Sequence, residues 1–299
     1  MKEIGIKRMD FAFGDRRTWY RAMDGIEARI VELGLPDSES FWGWGHFHRY
    51  AGEYREQVTG CLRELVAVQP TSAIDGIVVC APCRLPAERL LEPFVADVAA
   101  GLGLPTQALR IVEGFDCVNV VQALDEAGRM IVDGARDVLV VAAERVESEE
   151  KRFRKYALFG DACFAMTVSG DLSACEYEVL AVDVAEDPAP PESTDGVLGR
   201  KLDARLVRDV LDASGCDARD VEQCVYINLY KPISEMKVLD MGFARRQHYT
   251  GTIEDVGHCY GIDSFYGLHR HAASAAPDAI YVLGASSREY AGAAVVRKI

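Results

Sequence analysis

Two stretches of this chain follow the same plan. Residues 54–82, YREQVTGCLRELVAVQPTSAIDGIVVCAP, read as an amphipathic helix, a break rich in Pro, Ser and Thr, then a buried strand. Residues 203–232, DARLVRDVLDASGCDARDVEQCVYINLYKP, give a helix, a Ser-Gly break and a strand. The strand starts align as AIDGIVVCA against DVEQCVYIN. Further on, ARDVLVVAAE (135–144) has its counterpart in APDAIYVLGAS (276–286), each after a helix and each a nearly continuous apolar run. Such runs suit central strands covered on both faces. Helix–strand alternation that occurs twice predicts an α/β protein built from two similar halves, with helices covering the sheets.

The best break between the halves is EDPAPPESTDG, residues 186–196. Its prolines and acids disfavour regular structure and suit an exposed connection. We therefore divide the chain into an N-terminal half, 1–185, and a C-terminal half, 186–299. The 299 residues are 49% apolar and 27% charged, ordinary for a globular enzyme. A net charge of −14 argues against nucleic acid as a partner, because phosphate binding needs a basic face. The dense basic clusters KRFRK (151–155) and ARRQH (244–248) read as solvated surface. No run approaches the roughly 20 apolar residues of a membrane span. The first 20 residues lack the pattern of a signal peptide, so the expected location is the cytoplasm.

Nine cysteines at wide spacing predict neither a disulfide framework nor a zinc site. Cys80 and Cys83 match C-x-x-C, but Cys80 ends an apolar strand and no second pair follows. Most of the cysteines are expected to be small reduced core residues. Cys117, in GFDCVNVVQALDEA, stands apart. Downstream of it Val120, Val121, Leu124, Ala127, Ile131 and Val132 fall at helical spacing. Gly114 and Asp116 before it suit a turn and a cap. Cys117 thus falls at the first turn of a helix, where unpaired N–H groups and the dipole favour a thiolate that can accept an acyl group from a thioester.

The segment FDCVNVVQALDEAGRMIVDGARDVLVVAAERV resembles the nucleophile segment of ketoacyl-ACP synthase III and its relatives in the thiolase superfamily. In that family a cysteine stands six residues before an Ala-Leu pair, as Cys117 does before Ala123 and Leu124. A Gly-containing turn and a strand ending in Glu follow, matched by Gly134 and Glu144. FGDACFA (159–165) is similar to the family's Phe-Gly-Asp-Gly-Ala motif, and LGASSREYAGAAVVRKI to its glycine-rich loop and tail. The resemblance covers roughly residue 50 to the C-terminus. It implies the five-layered αβαβα thiolase fold, made of two repeats. It also implies acyl-CoA or acyl-phosphopantetheine as substrate, CoA or an acyl carrier protein as partner, no tightly bound cofactor or metal, and a homodimer or heterodimer.

The family pairs its cysteine with a histidine in a His-Gln-Ala-Asn motif and an asparagine in a Gly-Asn-Thr motif. Here those places read VYINLYKP and DVGHCYGIDSFYGL. Asn228 stands where the histidine is expected and His258 where the asparagine is. Both group types survive with their places exchanged. His258 would activate the thiol, and Asn228 would hold the thioester carbonyl, helped by the backbone N–H groups of Cys117 and Ser287. Asn228 also suits a structural role before Pro232. His248, His269 and His271 read as surface residues, Cys163 and Cys259 as packed thiols. SFWGWGHFHRY (40–50), with Trp42, Trp44 and Arg49, suits either an acyl or pantetheine channel or an aromatic core plug.

The resemblance therefore implies an acyltransferase. It would load an acyl group onto Cys117 and pass it to a carbon, amine or hydroxyl acceptor, and the unusual motifs point to specialised natural-product biosynthesis. The alternative is a non-catalytic partner subunit of a heteromeric ketosynthase.

Overall fold

The computed structural model describes residues 3–51, 60, 63–65, 67–68, 74–80, 100, 108–187 and 200–299. Most of the helix expected within 54–68, Cys61, Cys83 and the stretch 188–196 lie outside the described residues.

Among the described residues, two five-stranded halves make one ten-stranded order. The first half runs β5 (Leu109–Val112), β4 (Ile74–Cys80), β6 (Asp137–Glu144), β7 (Ala162–Ser169), β1 (Gly5–Phe13). The second runs β10 (His248–Tyr249), β9 (Val221–Tyr226), β11 (Ile280–Ser286), β12 (Tyr290–Lys298), β8 (Tyr177–Glu186). Position by position the pairing directions agree: two parallel contacts, then two antiparallel ones. The halves join where β1 meets β8, Gly5 opposite Glu178 and Ile6 opposite Tyr177. β8 thus belongs to the second half. By strand pairing the division falls between Ser169 and Tyr177, one strand before the 185/186 break expected from composition. β8 ends at Glu186, shortly before the first of the prolines in sequence.

The apolar runs become the predicted central strands. All eight residues of β6 and all eight of β7 are buried. Between the two sheets lie α3 (Asn119–Val132) and α7 (Ile262–Ala272). α3 touches β4, β6 and β7 of one half and β8 and β12 of the other; α7 touches β9 and β11, and β1 and β7. Apart from Val132, which is exposed, the periodic residues of α3 are buried, as a helix covered on two sides requires. α4 (Arg200–Ser214) covers β8, β11 and β12 on the outer face, with α5 (Lys231–Asp240) beside it. No helix among the described residues is long and apolar enough to cross a membrane.

A small unit lies apart from this core. It comprises the β2 (Arg16–Trp19) and β3 (His46–Arg49) pair with α1 (Ile26–Glu32) and α2 (Glu39–Trp42). Tyr20, Ile26, Ile30, Trp44 and Phe47 pack there against Phe153, Leu158 and Tyr230.

Candidate active site

The two middle helices begin at the same end of the molecule, and the site forms where their starts meet. Cys117 lies on a single 3₁₀ turn, Asp116–Val118, immediately before α3. The chain reaches it through two left-handed residues, Gly114 (φ 84°) and Asp116 (φ 49°). Asp is one of the few side chains that tolerates this region. Asn119 Oδ1 accepts the N–H of Phe115 at 3.1 Å. Cys117 is half-buried.

His258 comes from the matching place in the second half. Gly257 (φ 71°) turns the chain out of α6 (Ile253–Val256), and α7 begins soon after, at Ile262. The histidine is fully buried. Its backbone is clamped by the FGD segment: its N–H donates to Leu158 O at 2.7 Å and its carbonyl accepts from Gly160 N at 2.9 Å. Gly160 is obligatory there, since a Cβ would stand 2.4 Å from Val256 O. The rings of Phe159 and Tyr260 lie 4.7 and 5.5 Å from the imidazole. Tyr260 is itself held at φ 56°, in the left-handed region that tyrosine rarely adopts.

Cys117 Sγ is 3.4 Å from His258 Nε2. The other ring nitrogen, Nδ1, is 2.5 Å from Asp263 Oδ2. A carboxylate on Nδ1 fixes the tautomer that carries its proton there, leaving Nε2 to accept the thiol proton. Asp263 sits in the first turn of α7 and is fully enclosed. Its Oδ1 accepts Cys259 N at 2.7 Å, and its Oδ2 also accepts Asn228 N at 2.9 Å. Thiol, imidazole and carboxylate thus form one line, Cys117–His258–Asp263. The sequence reading missed Asp263. Its signal was an acid five residues after the histidine, in the first turn of the following helix.

Asn228 follows β9 and is buried. Its carboxamide is already engaged: Nδ2 donates to Gly257 O at 2.6 Å, and Oδ1 accepts from Thr252 Oγ1 at 3.0 Å. The backbone N–H of Ser287 donates to Tyr290 O at 2.8 Å, closing the β11–β12 turn. That turn packs on the cysteine's own turn, with the Tyr290 ring 4.7 Å from Phe115. Trp44 is buried in the aromatic core of the small unit, stacked on Trp42, whose indole N–H donates to Pro36 O at 2.8 Å. Arg49 pairs with Glu149 at 3.4 Å. Trp44 and Trp42 thus pack within the aromatic cluster of the small unit. His269 is exposed, whereas His248 and His271 are half-buried, hydrogen-bonded to Ser234 at 2.8 Å and to the Tyr281 hydroxyl at 3.2 Å. Cys163 and Cys259 are buried. Burial pushes the thiols of Cys80, Cys224 and Cys259 well up and that of Cys175 up to about 11. Among the described residues no group of His, Cys, Asp and Glu could hold a metal ion.

No protein-family model and no curated protein matches this chain. Solved structures do. ChlB3, an acyltransferase, has a TM-score of 0.75 at 15% identity, covering 99% of this chain and 98% of that one. The 3-oxoacyl-(acyl carrier protein) synthase III of Pseudomonas aeruginosa PAO1 scores 0.74 at 19% identity, covering 99% and 98%. This chain has the thiolase fold. AbyA1, a tetronic acid condensing enzyme, is similar too, with a TM-score of 0.73 at 15% identity over 98% and 99% of the two chains. The thiolase fold accounts for the repeat: its two middle helices begin at one point, and here one brings the thiol and the other the imidazole and carboxylate.

Proposed function

We propose that the chain is a thioester-dependent acyltransferase in which Cys117, His258 and Asp263 act as nucleophile, general base and orienting acid. The observation that carries this reading is the His258 imidazole, held between Cys117 Sγ at 3.4 Å and Asp263 Oδ2 at 2.5 Å. Such a line is the working arrangement of nucleophilic acyl transfer. His258 Nε2 takes the thiol proton as Sγ attacks the carbonyl carbon of an acyl-CoA or acyl-carrier thioester. The carbon–sulfur bond of the donor breaks, and the departing thiolate receives that proton. An acceptor then loses its proton to Nε2, attacks the acyl group and restores the Cys117 thiol. Asp263 keeps its charge throughout and stabilises the imidazolium.

The acceptor we favour is an alcohol, amine or thiol. Decarboxylative carbon–carbon bond formation needs two neutral donors aimed at one carbonyl oxygen. Here the Asn228 carboxamide is spent on Thr252 and Gly257, and His258 is committed as a base by Asp263. ChlB3 is an acyltransferase and AbyA1 a condensing enzyme, so likeness of fold alone supports either outcome. The departure from the family's motifs favours specialised biosynthesis. A dimer has a place to form: among the described strands β5 ends the order, and it carries the exposed Ile111.

The test is a partition experiment. Acylated protein is offered a malonyl thioester in one arm and amine, alcohol and thiol acceptors in the other. The reading expects ester, amide or thioester products and no carbon dioxide. Carbon dioxide release with a chain-extended ketone would replace it with a condensing enzyme. No acyl adduct with any donor would favour a non-catalytic partner.

A further inference from the structure

Thr252 opens α6 as its N-cap residue, and its carbonyl accepts the N–H groups of Asp255 and Val256, both at 3.2 Å. A threonine in that place ordinarily turns its hydroxyl oxygen onto the first-turn N–H groups of its own helix. Thr252 makes no such bond. Its side chain is buried, and its Oγ1 lies 3.0 Å from Asn228 Oδ1 instead. A local rule is broken here beside the candidate nucleophile, and broken rules gather at functional sites.

The directions of the bonds follow from chemistry. Gly257 O can only accept, so the NH₂ of Asn228 must face it, at 2.6 Å. That leaves Oδ1 toward Thr252, and the hydroxyl must donate. The carboxamide therefore brackets α6, held at the residue before it and at the residue after it. Gly257 O belongs to the peptide that enters His258. The backbone N–H of the same Asn228 donates to Asp263 Oδ2, the oxygen that also receives His258 Nδ1. One residue thus orients both the peptide entering the base and the carboxylate that aims it, and the Thr252 hydroxyl holds the other end of that residue's amide in place.

We propose that Thr252 is a positioning residue for His258, acting through Asn228; this rests on the reading of Cys117 and His258 as nucleophile and base. Without the hydroxyl, Asn228 Oδ1 is a buried acceptor with no donor, and the amide gains by rotating away. Gly257 O then loses its partner, and the peptide before His258 is held on its N–H side alone, by Leu158 O. The imidazole drifts from the sulfur and the thiolate fraction of Cys117 falls.

The experiment compares Thr252→Val, which keeps shape and loses the hydroxyl, with Thr252→Ser, which keeps the hydroxyl and loses a methyl. The probe is iodoacetamide at pH 7, with the labelled cysteine mapped by mass spectrometry and thermal midpoints recorded in parallel. Thr252→Val is expected to slow labelling of Cys117 by about tenfold or more. Thr252→Ser is expected to stay close to the wild-type rate although it leaves a small void. Unchanged labelling in Thr252→Val overturns the proposal, and so does equal slowing in both variants, which would mark a packing effect. Should Thr252→Val fail to fold, Thr252→Ala takes its place against Thr252→Ser with the same outcomes. If Cys117 in the wild type is not labelled ahead of the buried cysteines, the nucleophile reading itself falls and takes this proposal with it.

Discussion

Gly261 lies against the carbonyl of Cys117: a Cβ on Gly261 would stand 2.7 Å from that oxygen and 3.2 Å from Val120 Cγ2. The two repeats touch backbone to backbone at the place where thiol and imidazole meet. Gly261 is not in a left-handed conformation, so the constraint is space alone.

Gly261→Ala should therefore push the starts of α3 and α7 apart. The backbone oxygen cannot swing aside as a side chain could. Overpacking of this kind costs roughly 1–3 kcal/mol. We expect a lower thermal midpoint together with slower acylation of Cys117. A variant with wild-type midpoint and wild-type acylation would show that the helix starts have slack.

Asp263→Asn keeps size and removes the charge. The amide can present an N–H to His258 Nδ1 and stabilise the tautomer that leaves Nε2 protonated, unable to accept from Cys117. By analogy with other triads, transfer should fall by about 10²- to 10⁴-fold. Steady-state turnover against wild type measures this. A loss of less than threefold, with the fold intact, would leave Asp263 as a helix-capping residue only.

Away from the thiol, Lys237 Nζ pairs with Asp203 Oδ2 at 2.6 Å, both buried. Tyr226 OH donates to the same carboxylate at 3.1 Å, and Lys237 also reaches Ser286 Oγ at 3.0 Å. Removing one partner strands a buried charge. Lys237→Met alone should cost about 3–5 kcal/mol in denaturant unfolding, whereas Lys237→Met with Asp203→Leu should recover most of it. A double variant as unstable as the single one would mean that Tyr226 and Ser286 need the charges.

His248 carries a pH dependence whose sign is fixed by burial. Burial lowers its pKa to about 4, so the folded chain keeps it neutral where the unfolded chain takes a proton at about 6.5. The stability this contributes is full above about pH 6.5 and is lost as pH falls toward 4, by up to about 3 kcal/mol. His248→Gln, which can still meet Ser234, should flatten that part of the profile. Parallel profiles for wild type and variant between pH 7 and 4 would count against it.

The repeat was legible because central strands are apolar on both faces, and β6 and β11 carry nearly continuous apolar runs that need no long-range information. Cys117 was legible for a similar local reason, the periodicity of α3. The boundary between halves was not. β8 is mostly half-buried and pairs with β1 and β12, and only the pairing reveals which half it joins. Asp263 was hidden because its role depends on His258 facing it across a turn, and an acid in a helix's first turn is common for capping alone. Trp42 and Trp44 illustrate the opposite limit. An aromatic-rich segment looks alike whether it walls a channel or fills a core, and only packing on Phe153 and Tyr230 separates the two.

The central claim is that Cys117 takes the acyl group. Intact-mass measurement of the chain after incubation with a panel of acyl-CoA and acyl-phosphopantetheine thioesters tests it most directly, with peptide mapping to place the adduct. The account predicts one acyl addition per chain, on Cys117, absent in Cys117→Ala and slowed by about 10²-fold or more in His258→Ala. An adduct that persists undiminished in Cys117→Ala, or maps to another cysteine, would contradict it.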